Sequence, residues 1–250
     1  MTNNSNLSFS ILSSHCWVDP KLDGSTVFSP DFSQQVDFDP IELKQIPAIK
    51  RRRLNSLSKM ALHSSLMCLQ KAQVEPANVI TVFASQHGEL NRTVRIVSDM
   101  VTSQEISPKD FSLSVHNAAL GLYSIFNKNK QPGTSIAANT NTFGYGLIES
   151  INFLKRFPEQ KVLLTCFDLE VNQPFAQLQK VLNPSRSVSL LLSLPMQDKP
   201  SISFNFKKIE GIDDPKLPLD LAFFDFLAAN NQQQQMYTED TAWEFEKHAI

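Results

Sequence analysis

The turn Thr140-Asn141-Thr142 joins a run of small residues, Thr134 to Thr140, to an apolar helical stripe that starts at Phe143. A side chain at such a strand-to-helix turn sits among backbone N–H groups at the positive end of the helix dipole, where a thiol is acidified and an oxyanion is held. A cysteine there would be an activated nucleophile. Asparagine cannot become a thiolate or carry an acyl group, so the local reading is an N-cap, a role that Asn141 or Thr142 fills well. Other chemistries find less support. Gly144-Tyr145-Gly146 is the only GxG, Glu149 stands where a third glycine is needed, and no GK[ST] occurs, so nucleotide-binding loops are not expected. The five histidines (His15, His63, His87, His116, His248) show no i,i+3 or i,i+4 pairing with one another, and no metal site or cofactor is expected from them. His87-Gly88-Glu89 is the best local metal candidate, but it reads better as a loop histidine with a helix-entry glutamate. No serine stands in a GxSxG elbow. Lys50, Arg51, Arg52 and Arg53 form one dense basic run, readable as a localisation signal or nucleic-acid patch, but better as a solvated helix start or a docking patch for an acidic partner.

The elements that position these residues follow from periodicity. Leu7 to Val18 reads as an opening strand, and a Pro/Asp/Ser-rich stretch to Pro40 as a long irregular loop. Leu54, Leu57, Ala61, Leu62, Leu66 and Leu69 recur at helical spacing, and Pro76 ends that element. Asn78 to Ala84 is a short buried strand, Leu90 to Thr102 a helix, and Val115 to Phe126 a second helical stretch. Thr134 to Thr140 reads as a strand, Phe143 to Phe157 as a helix with Phe143, Leu147, Ile151 and Leu154 on one stripe, and Lys161 to Phe167 as an apolar strand. Strand, turn, helix, strand is a βαβ crossover and implies a two-sided, largely parallel sheet. Ser187 to Leu194 and Ser201 to Ile209 read as further strands, the second half exposed and antiparallel to its neighbour. Leu219 to Ala229 reads as a helix, Gln232 to Gln235 as a low-complexity spacer, and Thr241 to Glu244 as a capping box before a short tail helix. The domain therefore spans 1–230, with a Gln-rich spacer and tail over 231–250.

Composition sets the class. The chain has 250 residues and a net charge of −2, which gives no broad electrostatic reason to bind nucleic acid or an anionic membrane. Glycine is scarce, at 7, and phenylalanine abundant, at 18, which points to a bulky core or an apolar contact surface. Cys16, Cys68 and Cys166 are odd in number and widely spaced, the pattern of reduced core thiols in a cytoplasmic protein. Met1 to Ser10 has neither a basic region nor an apolar run, so no signal peptide is expected, and no segment is long enough for a membrane span.

The ordered set Phe111 to Ile125 (FSLSVHNAALGLYSI), Gly133 to Leu147 (GTSIAANTNTFGYGL) and Lys161 to Asp168 (KVLLTCFD) resembles the N-terminal half of β-ketoacyl synthases. In that family an N-x-x-x-G helix leads to a strand, a nucleophilic cysteine, and a glycine three residues on. Asn117 to Gly121 matches the first piece, and Gly144 lies three residues after Asn141, which puts Asn141 in the cysteine's place. Arg52 to Ala61 (RRLNSLSKMA) further resembles the short synthase-like proteins of aryl-polyene-type systems; the resemblance covers residues 45 to 230. Cys166, inside an apolar strand, is not a substitute nucleophile.

The resemblance implies a thiolase-like half-fold: α/β, a mixed and largely parallel sheet with helices on both faces. It also implies loss of catalysis. Active synthases carry two histidines in a second half that this chain is expected to lack, so condensation has neither nucleophile nor oxyanion partner. The implied role is a chain-length factor that forms a heterodimer with a full-length β-ketoacyl-ACP synthase and shapes the acyl tunnel. Thr134, Ser135, Ile136, Ala137, Ala138, Asn139 and Thr140 would form the interface strand. Phe111, Ser114, Val115, His116, Asn117, Thr142 and Phe143 are further interface or tunnel candidates, with ordinary core packing as the alternative for the apolar ones. Acyl carrier protein is a further partner, with Lys50 to Arg53 as its dock. Two other functions stay open: a small acyl-thioester hydrolase or decarboxylase using His87 or His116, and a stand-alone carrier-protein scaffold.

Overall fold

The computed structural model describes residues 7–21, 30–102, 107–178, 183–210 and 217–249. The chain begins with β1 (Leu7–Val18), α1 (Pro30–Ser33), β2 (Val36–Asp37) and α2 (Ala48–Arg51). Next come α3 (Ser56–Lys71), β3 (Ile80–Ala84), α4 (Leu90–Thr102), α5 (Pro108–Ser112) and α6 (Ala118–Asn127). The crossover unit is β4 (Gly133–Ile136), α7 (Thr142–Arg156) and β5 (Val162–Asp168). It is followed by β6 (Arg186–Ser193), β7 (Ser201–Lys208), α8 (Leu219–Ala228), β8 (Gln233–Tyr237) and β9 (Thr241–His248).

All strands belong to one sheet in the order β4-β3-β5-β6-β1-β7-β9-β8, with β2 beside β1. The architecture is α/β with a mixed sheet, as expected, but antiparallel pairs outnumber parallel ones, so the sheet is not largely parallel. Parallel pairing is confined to β4-β3-β5 and to the short β1–β2 contact; every other pair is antiparallel. β4 and β5 both flank β3 and run parallel to it, so the predicted βαβ crossover passes over one intervening strand.

Period-two alternation gives the central strands two buried faces. Val162, Leu164 and Cys166 of β5 face one core, with Phe143, Leu147, Ile151 and Leu154 of α7 and Phe223 and Phe226 of α8. Leu163 and Phe167 face the other, with Leu57, Leu62, Leu66 and Leu69 of α3 and Tyr123 of α6. Helices therefore cover both faces. Both stripes read from the sequence are the stripes that pack.

Three expectations need correction. The strand read over Thr134 to Thr140 ends at Ile136; Asn139 is left-handed at φ 49°, and the chain turns before α7. The glutamine tract is not a spacer but strand β8. Nor is Thr241 to Glu244 a helix cap: it opens β9, which pairs with β7 along its whole length and with β8 in a hairpin. Trp243 and Phe245 point into the core while Glu244 is exposed, so the tail follows a strand period that its cap-like spacing masked. In the irregular loop read up to Pro40, residues 22–29 lie outside the described residues, as do residues 1–6 of the N-terminus; the described remainder of the loop holds α1 and β2.

Candidate functional site

Asn141 occupies the N-cap position of α7 but does not cap it with its side chain. The amide instead reaches into the turn of the β8–β9 hairpin. Its Oδ1 accepts from Thr238 Oγ1 (2.7 Å) and Trp243 Nε1 (2.9 Å), and its Nδ2 donates to Asp240 Oδ1 (2.7 Å). The indole can only donate and the carboxylate only accept, so the orientation of the amide is determined by its partners. The hydrogen bond from Asn141 is the main cause that holds the Asp240 carboxyl below its ordinary value. Asn141 is buried, and its surroundings are a clamp rather than an open catalytic position.

The backbone agrees. The N–H of Asn141 donates to Ala138 O and that of Thr142 to Asn139 O, so both close the turn instead of facing a substrate. Thr142 Oγ1 ties the same turn, accepting from Ala138 N and donating to Asn139 O. The Trp243 ring packs against α7 at Gly144, where an added Cβ would come within 2.2 Å of it. That is why glycine stands three residues after Asn141 here. Gly146, two residues further on, lets α7 close on Leu164 and Ala84.

Beside the clamp is a cavity of about 310 Å³ whose wall includes His87, Thr140, Thr142, Phe143, Cys166 and Arg186. Three of its charged residues, Arg186, Asp220 and Asp168, form one network. Arg186 bonds Asp220 through Nε (2.8 Å) and lies 3.9 Å from Asp168. Asp168 in turn accepts from Ser85 Oγ and from the backbone N–H groups of Gln86 and His87. Burial opposes the charge on Arg186, but Asp220 and Asp168 outweigh it and keep the guanidinium firmly protonated. Burial pulls His87 below its usual value; Asp168 opposes that shift and Arg186 adds to it. Burial, then Asp220, pushes the Cys166 thiol well up, so Cys166 is an inert wall residue.

The remaining candidates divide by location. Thr134, Ser135 and Ile136 form β4, half-buried at the open edge of the sheet, and Ser135 Oγ has no hydrogen-bond partner. Ala137, Ala138, Asn139 and Thr140 belong to the turn that follows, and Thr140 Oγ1 is likewise buried without a partner. Phe111 is 64 % and Val115 50 % exposed, beside exposed Val97, Met100 and Val101 on α4. Ser114 Oγ donates to Phe111 O, and Asn117 starts α6 without a side-chain cap. His116 Nε2 bonds Ser85 O (2.7 Å), and its ring lies under Gly88, whose φ is +52°. Thr142 and Phe143 are buried; the Phe143 ring packs at a tilt of 44° against Phe223 within the core.

The basic run is split. Lys50 lies over the Phe126 ring and Arg51 donates to Glu42 O, whereas Arg52 and Arg53 are exposed. Glu89 is the structural residue its position suggested, held by Asn55 and Arg92 (3.0 Å), with Asn55 also capping α3. Sequence reading missed Asp168, Arg186 and Asp220, and the hairpin residues Thr238, Asp240 and Trp243. It also missed that His15 and His63 converge on Asp37, the one such grouping of potential metal ligands among the described residues. Alternation at Trp243 and Phe245 was the available signal for the hairpin; no local signal marks the others.

Residues 28–246 match the family model for the β-ketoacyl synthase N-terminal domain. The chain belongs to that family. No curated protein matches it. Among solved structures, the chain is similar to one from the complex of the ketosynthase ApeO with its chain length factor ApeC of Xenorhabdus doucetiae. The TM-score is 0.78 at 23 % identity, over 96 % of this chain and 99 % of that one. It also resembles the ishigamide ketosynthase/chain length factor (TM-score 0.61, 16 % identity, 83 % of this chain and 69 % of that one). A third match is a chain of AntDE:AntF, a type II polyketide acyl-carrier protein in complex with its ketosynthase (TM-score 0.66, 11 % identity, 96 % and 99 %). The thiolase-like fold of this family is thus the fold of this chain, and no helix among its described residues is long and apolar enough to cross a membrane.

Proposed function

We propose that this chain is a catalytically inactive chain-length factor, which forms a heterodimer with a full-length β-ketoacyl-ACP synthase in the cytoplasm and shapes its acyl or polyene tunnel. The observation that carries the reading is the clamp on Asn141. The residue in the nucleophile's place is an amide, and its three polar contacts are all made to the β8–β9 hairpin. A group so engaged neither attacks a thioester nor transfers an acyl chain.

The partner reading draws on the edge of the sheet. Among the described residues β4 pairs with β3 alone, which leaves a row of backbone donors and acceptors for a second chain. Phe111 on α5, Val115 in the bend between α5 and α6, and the exposed apolar residues of α4 all lie between β3 and β4 in the chain. The cavity beside Thr142 and Phe143 is the candidate tunnel wall, and Arg52 and Arg53 are the free part of the carrier-protein dock. All three cysteines are unpaired and buried, in keeping with a reducing compartment.

Co-expression with a ketosynthase that has its cysteine and both histidines tests this: an equimolar complex is expected, and a chain that stays monomeric and never binds such a synthase overturns it. A second reading, hydrolysis of an acyl thioester by a water held on His87, is favoured by that side chain's place on the cavity wall. Turnover of acyl-carrier-protein thioester by the purified chain, lost in His87→Gln, would establish it. His116 is less suited, because Ser85 O already engages its Nε2.

A further inference from the structure

On the α3 side of the sheet, far in sequence from one another, three side chains converge. His15 is on β1, Asp37 on β2 and His63 on α3. The register that pairs Trp17 with Asp37 brings the carboxylate beside the end of β1, and α3 lays His63 across both. Asp37 Oδ2 lies 3.3 Å from His15 Nε2 and 2.8 Å from His63 Nε2, and the three candidate donor atoms all fall within 4.8 Å of one another.

The hydrogen bonds around the cluster leave one contact unexplained. Asp37 Oδ1 accepts from the Asp39 N–H (2.8 Å), which turns Oδ2 toward the two imidazoles. Ser64 Oγ donates its only proton to Ser187 O (2.9 Å), so toward His15 Nδ1, at 3.3 Å, it acts as acceptor. An imidazole with one ring proton must then choose. With that proton on Nδ1, facing Ser64, the Nε2 lone pair points at the carboxylate. Nδ1–H held by an oxygen and Nε2 aimed at a carboxylate is the arrangement of a metal-ligating histidine with its supporting shell in place.

We propose that His15, Asp37 and His63 form a binding site for a divalent first-row transition metal, with zinc as the preferred ion. Two imidazole nitrogens and a carboxylate oxygen favour such an ion over magnesium or calcium, which take oxygen ligands. Ligand bonds of about 2.0–2.2 Å at tetrahedral angles place donor atoms roughly 3.3–3.6 Å apart, so modest side-chain rotations bring the cluster to that geometry. The Asp37 side chain keeps a 20 % exposure, which gives the ion an entry path and a water a fourth position. The bound ion joins β1, β2 and α3 and holds the two-residue strand β2 in register. This is a structural role, independent of the ketosynthase partner.

The test uses the full chain, freed of metal with a chelator and titrated calorimetrically with zinc alone and magnesium alone. One zinc per chain, no binding of magnesium, and a melting temperature raised by zinc are expected. Asp37→Asn, which keeps size and shape, and His63→Gln should each abolish stoichiometric binding and the zinc-dependent shift. Ser64→Ala should bind about tenfold more weakly, because it removes the acceptor that orients His15. Circular dichroism of the metal-free variants checks that they fold; if His63→Gln does not, Asp37→Asn decides. A wild-type chain that takes up no zinc, or variants that bind it as the wild type does, would overturn the proposal.

Discussion

At the scale of single residues, Asn141 is defined by what it touches. Its neighbours demand an acceptor for Trp243 and Thr238 and a donor for Asp240, and the side-chain amide offers both from one planar group. Asn141→Ala leaves the buried indole N–H unpaired, so we expect a loss of about 2–3 kcal/mol in chemical denaturation. Asn141→Cys should show neither condensing activity nor an acyl adduct by intact-protein mass spectrometry, since the negative Asp240 carboxylate facing the thiol disfavours the thiolate. The clamp also sets a pH dependence. Asp240 is depressed in the folded state, so its contribution is present above the ordinary carboxylate value and is lost as pH falls through the lowered one. In Asn141→Ala the Asp240 resonance should titrate closer to the ordinary value by NMR. Arg186 is the other critical residue. Arg186→Met strands two buried carboxylates, Asp168 and Asp220, and should cost about 3–5 kcal/mol by the same denaturation measurement.

At the scale of elements, α7 and the C-terminal hairpin form one unit. Trp243 lies against α7 where Gly144 leaves room, and Phe204 and Phe206 of β7 flank the same ring. Gly144→Ala places a methyl group inside the indole's contact distance, so we expect a destabilisation of about 1–3 kcal/mol. Combining it with Trp243→Leu should give less than the sum of the two single losses, because the clash needs both groups. Additivity of the two would mean that the ring does not sit where the structure places it. The far end of the hairpin is anchored separately: Lys247 Nζ donates to the Phe226 and Ala229 carbonyls at the C-terminal end of α8.

At the scale of the whole molecule, the two ends of the sheet differ. One end is the β8–β9 hairpin, locked to α7 through Asn141; the other is β4, a short strand with an open edge. Ser135→Lys on β4 adds a charge at that edge. It should abolish co-purification with the synthase, with circular dichroism showing that the variant still folds. Retention of the complex by this variant would remove β4 from the interface.

The sequence by itself determined the elements whose burial is periodic. The stripes Leu57 to Leu69 and Phe143 to Leu154, and the apolar strand β5, were legible because each buries one continuous face against the sheet. The resemblance that puts Asn141 in the nucleophile's place, as we propose, is likewise legible in the sequence, since the order of motifs around Asn141 is local information. The tertiary structure decided what that amide does. Thr238, Asp240 and Trp243 come to Asn141 across about a hundred residues, and β9 reaches it by pairing with β7, a register no local pattern encodes. The same holds for Arg186 with Asp168 and Asp220, and for His15 and His63 around Asp37. Charged and imidazole side chains leave no periodic trace, because their burial is tolerated only where distant partners satisfy them, and those partners meet only in the folded chain.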